Sequence, residues 1–173
     1  MRTKILLTSF QTWLPHQKTN SSDDLLAKIQ QFDHSKYLSL FFLRNLPVNI
    51  ELASQQVIAE IERIEPDVVV SCGMAENRFK LTIESNASCK NECLYTAINL
   101  AELIQKLIAT EVSHDAGKFV CEGLYYQILK YIKSQPAKID CIFIHVPLLD
   151  RSRLNLILRD FNYILFWLKS QFT

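Results

Sequence analysis

Glycine is scarce in this chain, with three in 173 residues at Gly73, Gly117 and Gly123. None of them lies in a Gly-x-Gly-x-x-Gly run or a phosphate-cradling loop, so nucleotide binding has no motif to rest on. With five prolines and no Gly- or Ser-rich stretch, no flexible linker divides the chain, and no repeat or low-complexity segment is present. Residues 1–173 therefore read as one domain, of a length that buries roughly 70% of its unfolded surface around a single core. An excess of one charge is missing too. Nineteen Lys+Arg against 18 Asp+Glu leave a net charge of +1, without the basic face that nucleic acid requires. No apolar run approaches the ~18 residues of a membrane span. The densest, Leu38 to Leu43, is of strand length. The start, Met1 to Thr8, has only three apolar residues behind its charges, so no signal peptide is expected. Five cysteines, an odd number at irregular spacing, suit free thiols in a reducing cytoplasm better than a disulfide framework.

What is present is apolar patterning, at 49% of positions, which excludes a disordered chain. Lys4 to Thr8 is strand-sized. Asp23-Asp24 opens a helical pattern that carries Leu25, Leu26, Ile29 and Phe32 on one face, the acids suiting a helix start. Leu38 to Leu43 reads as a second strand. Ile50, Ala53, Val57, Ile61 and Ile64 mark an amphipathic helix, which Pro66 ends. Asp67 to Cys72 is a buried β-branched strand. This β-α-β-α-β order predicts an α/β fold with a mostly parallel sheet. Beyond Gly73 the pattern predicts a short strand on Phe79, Leu81 and Ile83. A helix is expected from Leu94 to Ile108, with Ile98, Ala101, Leu103 and Ile104 in the core. A further helix over about Cys121 to Tyr131, a buried strand from Ile139 to Val146 and a helix from Leu154 to Leu168 complete the chain. Phe161, Phe166 and Trp167 on that last helix are read as core.

In open α/β sheets, chemistry gathers at the C-terminal ends of the strands. Cys121 stands at a helix N-terminus, where free backbone N–H groups and the dipole favour a thiolate; it reads either as a nucleophile or as a buried structural thiol. His145, at the end of an apolar strand, suits a general base that later acts as an acid, or a satisfied core histidine. Glu84 is placed to orient an imidazole, and Arg78 to face a developing oxyanion; either is otherwise a solvated charge. Cys89 and Cys93, four apart, lack a second ligand pair, so no metal site is expected. His114-Asp115 is read as loop polarity.

Four stretches together resemble the pyroglutamyl peptidase type I family of cysteine peptidases. Ile5-Leu-Leu-Thr-Ser-Phe10, with Trp13 and Asn20 after it, is similar to that family's first strand and its Gly-Phe-x-Pro-Phe-Gly loop. Leu46-Pro-Val48, then Ile64-Glu-Pro-Asp-Val-Val-Val70 with Gly73 and Arg78, resembles the stretch leading to the family's catalytic glutamate. Asp115-Ala-Gly-Lys-Phe-Val-Cys121 resembles the nucleophile segment Thr-Ala-Gly-Thr-Phe-Val-Cys, and Phe143-Ile-His-Val-Pro147 resembles the segment that holds the catalytic histidine.

The resemblance implies a three-layer α/β/α sandwich with a mostly parallel, mixed sheet. It implies a Cys121, His145, Glu84 triad, with Arg78 and backbone N–H groups at the oxyanion. Phe10, Trp13, Asn20, Met74 and Val120 would line the substrate pocket, with Phe10 and Trp13 where the family's two aromatic residues sandwich the lactam ring. It implies no cofactor and no metal, and as substrate a small peptide with a blocked N-terminus. Assembly into dimers or tetramers is common among the bacterial members. Several positions depart from the pattern. Ser9 replaces a glycine, Thr12 a proline and Trp13 a phenylalanine, Glu76-Asn77 stand for Gly-Gly, and Glu84 is only 37 positions from Cys121 because a long loop is largely absent. Two classes of function follow. One is an active peptidase, specific for pyroglutamate or shifted to another small N-terminal group. The other is a non-catalytic binding protein that retains the triad residues.

Overall fold

In the computed structural model, which describes residues 2–172, the first half of the chain alternates strands and helices as the periodicity predicts. β1 (Thr3–Phe10), α1 (Ser21–Ile29), β2 (Leu38–Leu46), α2 (Ile50–Ile64) and β3 (Val68–Met74) follow in order. Local chemistry sets their limits. Asn20 caps α1 by accepting from the Ser22 N–H, so the helix starts ahead of Asp23 and Asp24, which occupy its first turn. Asn49 caps α2 in the same way, and Glu65 ends it in a left-handed conformation before Pro66. The second half contributes β4 (Leu81–Glu84), β5 (Asn86–Cys89), β6 (Glu92–Tyr95), α3 (Leu100–Leu103), β7 (Thr110–Ser113), α4 (Val120–Lys133), β8 (Asp140–Val146) and α5 (Leu154–Ser170).

Six strands form one sheet in the order β2-β1-β3-β8-β4-β7. β2, β1, β3 and β8 are mutually parallel. β4 pairs with β8 in the opposite sense and carries β7 parallel to itself. One face of the sheet is covered by α1, α3 and α5, the other by α2, α4 and the β5–β6 hairpin, so the chain is a three-layer α/β/α sandwich on a mixed sheet. Val68, Val69 and Val70 on β3 are fully buried. Each contributes roughly 1.5–3 kcal/mol relative to exposure, an upper figure because the unfolded chain is already partly collapsed. Among the described residues no helix is long and apolar enough to cross a membrane.

The expected helix from Leu94 to Ile108 is not there. Its first residues form β6, where Leu94 pairs with Ala87 of β5 and both are buried beside α4. Asn99 then caps a fresh start by accepting from the Glu102 N–H, and only α3 and a 3-10 turn at Ile104–Lys106 follow. Ile98 and Leu103 are buried, whereas Ala101 is exposed and Ile104 only half-buried. Phe32 falls outside α1, which stops at Ile29, and it is exposed. Phe79 precedes β4 and is 76% exposed, its ring under the Arg153 guanidinium. Phe161 is buried as expected, but Phe166 lies on the outer side of α5.

Candidate active site

β3 and β8 run side by side with Gly73 opposite His145, and their C-terminal ends meet the N-terminus of α4. Phe119 takes the N-cap position without a side-chain cap, so the first N–H groups of α4 are left to face whatever lies before them. Cys121 is the second residue of that helix. Its sulfur sits where a Gly73 side chain would be. A Cβ built on Gly73 would lie 2.6 Å from Cys121 Sγ and 2.9 Å from Phe143 Cζ. Gly73→Ala is therefore expected to push the sulfur off its position and lower kcat/KM about 10²-fold, the scale of a misplacement near 1 Å. Steady-state kinetics check this, and an unchanged rate would show that the sulfur's position tolerates the methyl group.

Burial and the neighbouring Glu84 charge push the Cys121 thiol up to about 12, against the opposing pull of Arg78 and the residue's own backbone N–H. The helix N-terminus thus acts in the expected direction but does not prevail, and the resting sulfur is a thiol. Alkylation of Cys121 by iodoacetamide is accordingly expected to rise steadily up to about pH 10, past the ~8.5 of a free thiol. Peptide mapping across pH 6–10 checks this; a plateau below pH 8 would mean a preformed thiolate.

Glu84 ends β4, and the antiparallel register sets it against Phe143, with Thr82 against His145. Its side chain is wholly buried, and its Oε1 lies 2.7 Å from His145 Nδ1. Burial raises the Glu84 carboxyl, but His145, Ser113 and Arg78 outweigh it and hold the group below the ordinary carboxylate value. Ser113 stands beside Glu84 across the β4–β7 ladder and places its hydroxyl near the carboxylate. An ionised carboxylate only accepts, so His145 Nδ1 carries the proton and Nε2 is left as the basic nitrogen. Arg78 Nη1 reaches Glu84 Oε1 at 2.5 Å and the Thr82 hydroxyl, and Nη2 donates to the Asp115 carbonyl at 2.9 Å. Its guanidinium is bonded to the carboxylate, a placement different from the expected oxyanion contact. Tyr125 Oη donates to the Glu84 carbonyl, which ties β4 to α4 from below.

Two adjoining cavities open at Cys121. The inner one, about 270 Å³, is lined by Phe10, Trp13, Asn20, Met74 and Val120 among others, which brings together all five expected pocket residues. The outer one, about 700 Å³, is lined by Cys121, His145 and Arg78. Phe10 is buried, whereas Trp13 is 53% exposed and pairs with the Phe119 ring at 6.0 Å. Asn20 spends its polar atoms on the loop: Oδ1 accepts from Ser22, and Nδ2 donates to the Gln11 carbonyl. Residues 85–115 contribute nothing to either wall.

The departures at glycine positions are accommodated without left-handed backbone. Ser9, Glu76 and Asn77 are not among the positive-φ residues, and Ser9 donates to Asp23 at 2.7 Å. Glu76 has acquired a structural part in the pocket. Its carboxylate accepts from Gln17 Nε2 at 2.8 Å and meets His16 Nε2 at 3.2 Å, while Gln17 Oε1 accepts from the Trp13 and Leu14 N–H groups. Gln17 is thereby a bridge between the segment carrying Trp13 and the turn after β3. Glu76→Ala is expected to raise KM about threefold to tenfold with kcat nearly kept, as a charged hydrogen bond to the pocket wall is lost. A fall in kcat alone would contradict that.

Gly73, Gln17, Glu76 and Phe119 were not legible as site residues. Gly73 offered one signal, a lone glycine ending a buried strand; the others depend on contacts between loops. His114 Nδ1 lies 2.7 Å from the half-buried Ser85 hydroxyl, away from the cavities. Cys89 and Cys93 are free and exposed on the hairpin. Among the described residues, no group of three or more His, Cys, Asp or Glu is placed to hold a metal ion.

A family model described as pyroglutamyl peptidase matches residues 91–157. A pyrrolidone-carboxylate peptidase of Thermoanaerobacter pseudethanolicus is 26% identical over 178 aligned positions, covering 88% of this chain and 86% of the relative. One of Brachyspira hyodysenteriae is 23% identical, covering 88% and 87%. Among solved structures, pyroglutamyl peptidase I from Bacillus amyloliquefaciens superposes with a TM-score of 0.82 at 19% identity, over 95% of this chain and 93% of that one. Pyrrolidone carboxyl peptidase from Thermococcus litoralis gives 0.81 at 16% identity, over 98% and 94%.

Proposed function

We infer that this chain, a divergent member of the pyroglutamyl peptidase family, is a cysteine peptidase that removes N-terminal pyroglutamate from peptides. The observation that carries this reading is that Cys121 and His145 line one cavity beside an uncapped helix N-terminus, with the buried Glu84 carboxylate bonded to His145 from behind it.

In the reaction, the pyroglutamyl ring enters the inner cavity, where Phe10 and Trp13 meet its faces. His145 Nε2 takes the Cys121 proton as Sγ attacks the carbonyl carbon, and the C=O electron pair moves onto oxygen. The N–H groups at the start of α4 receive that oxyanion; losing one such donor typically costs about 10²–10³ in rate. The intermediate collapses by breaking the C–N bond, and the proton on His145 passes to the departing amine. A thioester remains on Cys121. Water, deprotonated by His145, then attacks the thioester, pyroglutamate leaves, and the proton returns to sulfur. Glu84 holds His145 in the required tautomer and opposes its transient charge. Arg78 acts on that carboxylate, which replaces the direct oxyanion part expected from position. The reaction needs a reduced sulfur, consistent with a cytoplasmic setting.

Release of a fluorophore from a pyroglutamyl arylamide by the purified protein, under reducing conditions, tests the reading. Turnover is expected. None above background would remove the pyroglutamyl specificity and leave another small N-terminal group, or a binding function, as the alternative.

A further inference from the structure

The division of the site into two cavities assigns its two sides. The scissile carbonyl must sit at Cys121 Sγ, with the acyl group on one side and the departing amine on the other. His145, which must protonate that amine, lines the outer cavity and not the inner one. Phe10 and Asn20 line the inner cavity and not the outer one. The peptide beyond the scissile bond therefore lies in the outer cavity.

The outer wall is unusually apolar for an exposed surface. Ile50, 43% exposed, lines the outer cavity and not the inner one, while Val48 and Phe119, the latter 69% exposed, stand at the boundary and line both. Large apolar side chains left this open around a reactive sulfur form a patch with area still to bury. The wall is also held in place. Ile50 opens α2 and rests against Gly123 of α4, where even a Cβ would come within 2.5 Å of Ile50 Cδ1. The nearby charges Glu76 and Arg78 are engaged, with His16 and Gln17 and with Glu84 respectively; Lys118 stands among the lining residues as a further cation.

We propose that Ile50, with Val48 and Phe119 at the boundary of the two cavities, forms a subsite for the residue that follows the pyroglutamyl group, selecting a large apolar side chain there. The proposal rests on the reading of the chain as a pyroglutamyl peptidase.

The test compares kcat/KM for four amides: pyroglutamyl-glycine, -leucine, -phenylalanine and -glutamate. Leucine and phenylalanine are expected to exceed glycine roughly tenfold, the scale of one apolar side chain in a pocket, with glutamate no better than glycine. In Ile50→Asp, which suits the first turn of a helix, the leucine-to-glycine ratio is expected to fall towards one; in Ile50→Leu it is expected to persist. Equal rates for glycine and leucine in the parent protein, a preference for glutamate, or an unchanged ratio in a folded Ile50→Asp protein would each overturn the subsite. Hydrolysis of none of the four by folded protein would overturn the pyroglutamyl reading itself, and the subsite with it.

Discussion

Cys121→Ala is expected to abolish turnover of pyroglutamyl amides, a loss of at least about 10⁴-fold in kcat and up to about 10⁶-fold on the scale of a deleted nucleophile. No other sulfur can replace it. Cys72 and Cys141 are buried in the sheet, where burial raises both thiols well above the ordinary range. Cys89 and Cys93 are exposed on the β5–β6 hairpin, which lines neither cavity at Cys121. The two remaining triad groups and the free N–H groups of α4 stay in place in the variant, so it should still bind substrate. Single-turnover kinetics with intact-protein mass spectrometry check both parts: the parent accumulates an acyl adduct on Cys121 and the variant does not. Residual turnover above one hundredth of the parent rate would mean that another group carries the first step.

Glu84→Gln should be nearly as damaging, with kcat falling about 10⁴-fold, the effect of an amide that puts the imidazole in the wrong tautomer. KM should move little, because Glu84 lines neither cavity. The substitution also leaves Arg78, only 28% exposed, without its carboxylate. A loss of roughly 1.5–3 kcal/mol is expected for a buried charged hydrogen bond. The pH dependence has a definite sign. The folded-state carboxyl is depressed, so its contribution is complete above the unfolded value of about 4.3 and fades as pH falls through the folded value. Urea midpoints of parent and variant should therefore differ at pH 7 and converge below pH 4. A constant gap would assign the loss to packing.

The parts of this architecture that could be read from residues alone were those whose side chains state their surroundings. Val68-Val-Val70 and Ile142-Phe-Ile144 are buried on both faces of the sheet and look it. Ala53, Val57, Ile61 and Ile64 keep a helical period and are buried on α2. Asn86-Ala-Ser-Cys89 has little strand propensity; it is extended because β6 pairs with it and α4 packs behind Ala87. The helical period through Leu94 to Ile108 was real in spacing but contains a capping asparagine, and the cap at Asn99 decided where a helix starts. At the site, positions at helix and strand ends singled out Cys121, His145 and Glu84, and the resemblance joined them into one triad. The Arg78 contact depends on the chain doubling back into β4, and the Gln17–Glu76 bridge on two loops meeting, neither of which spacing encodes.

The reversed direction of β4 has a consequence for how the protein fails. A carboxylate on a rim loop can swing away while the rest of the molecule stays folded. Glu84 is instead delivered from within the sheet, between β7 and β8, beneath the imidazole it holds. Separating it from His145 means opening the buried ladder between β4 and β8, an event that belongs to cooperative unfolding and not to local fraying. The Trp13 segment, held at the surface by Gln17, Glu76 and the Phe119 ring, is free to loosen first. Heat should thus erode substrate affinity before it erodes chemical competence, and the two losses separate along the temperature axis.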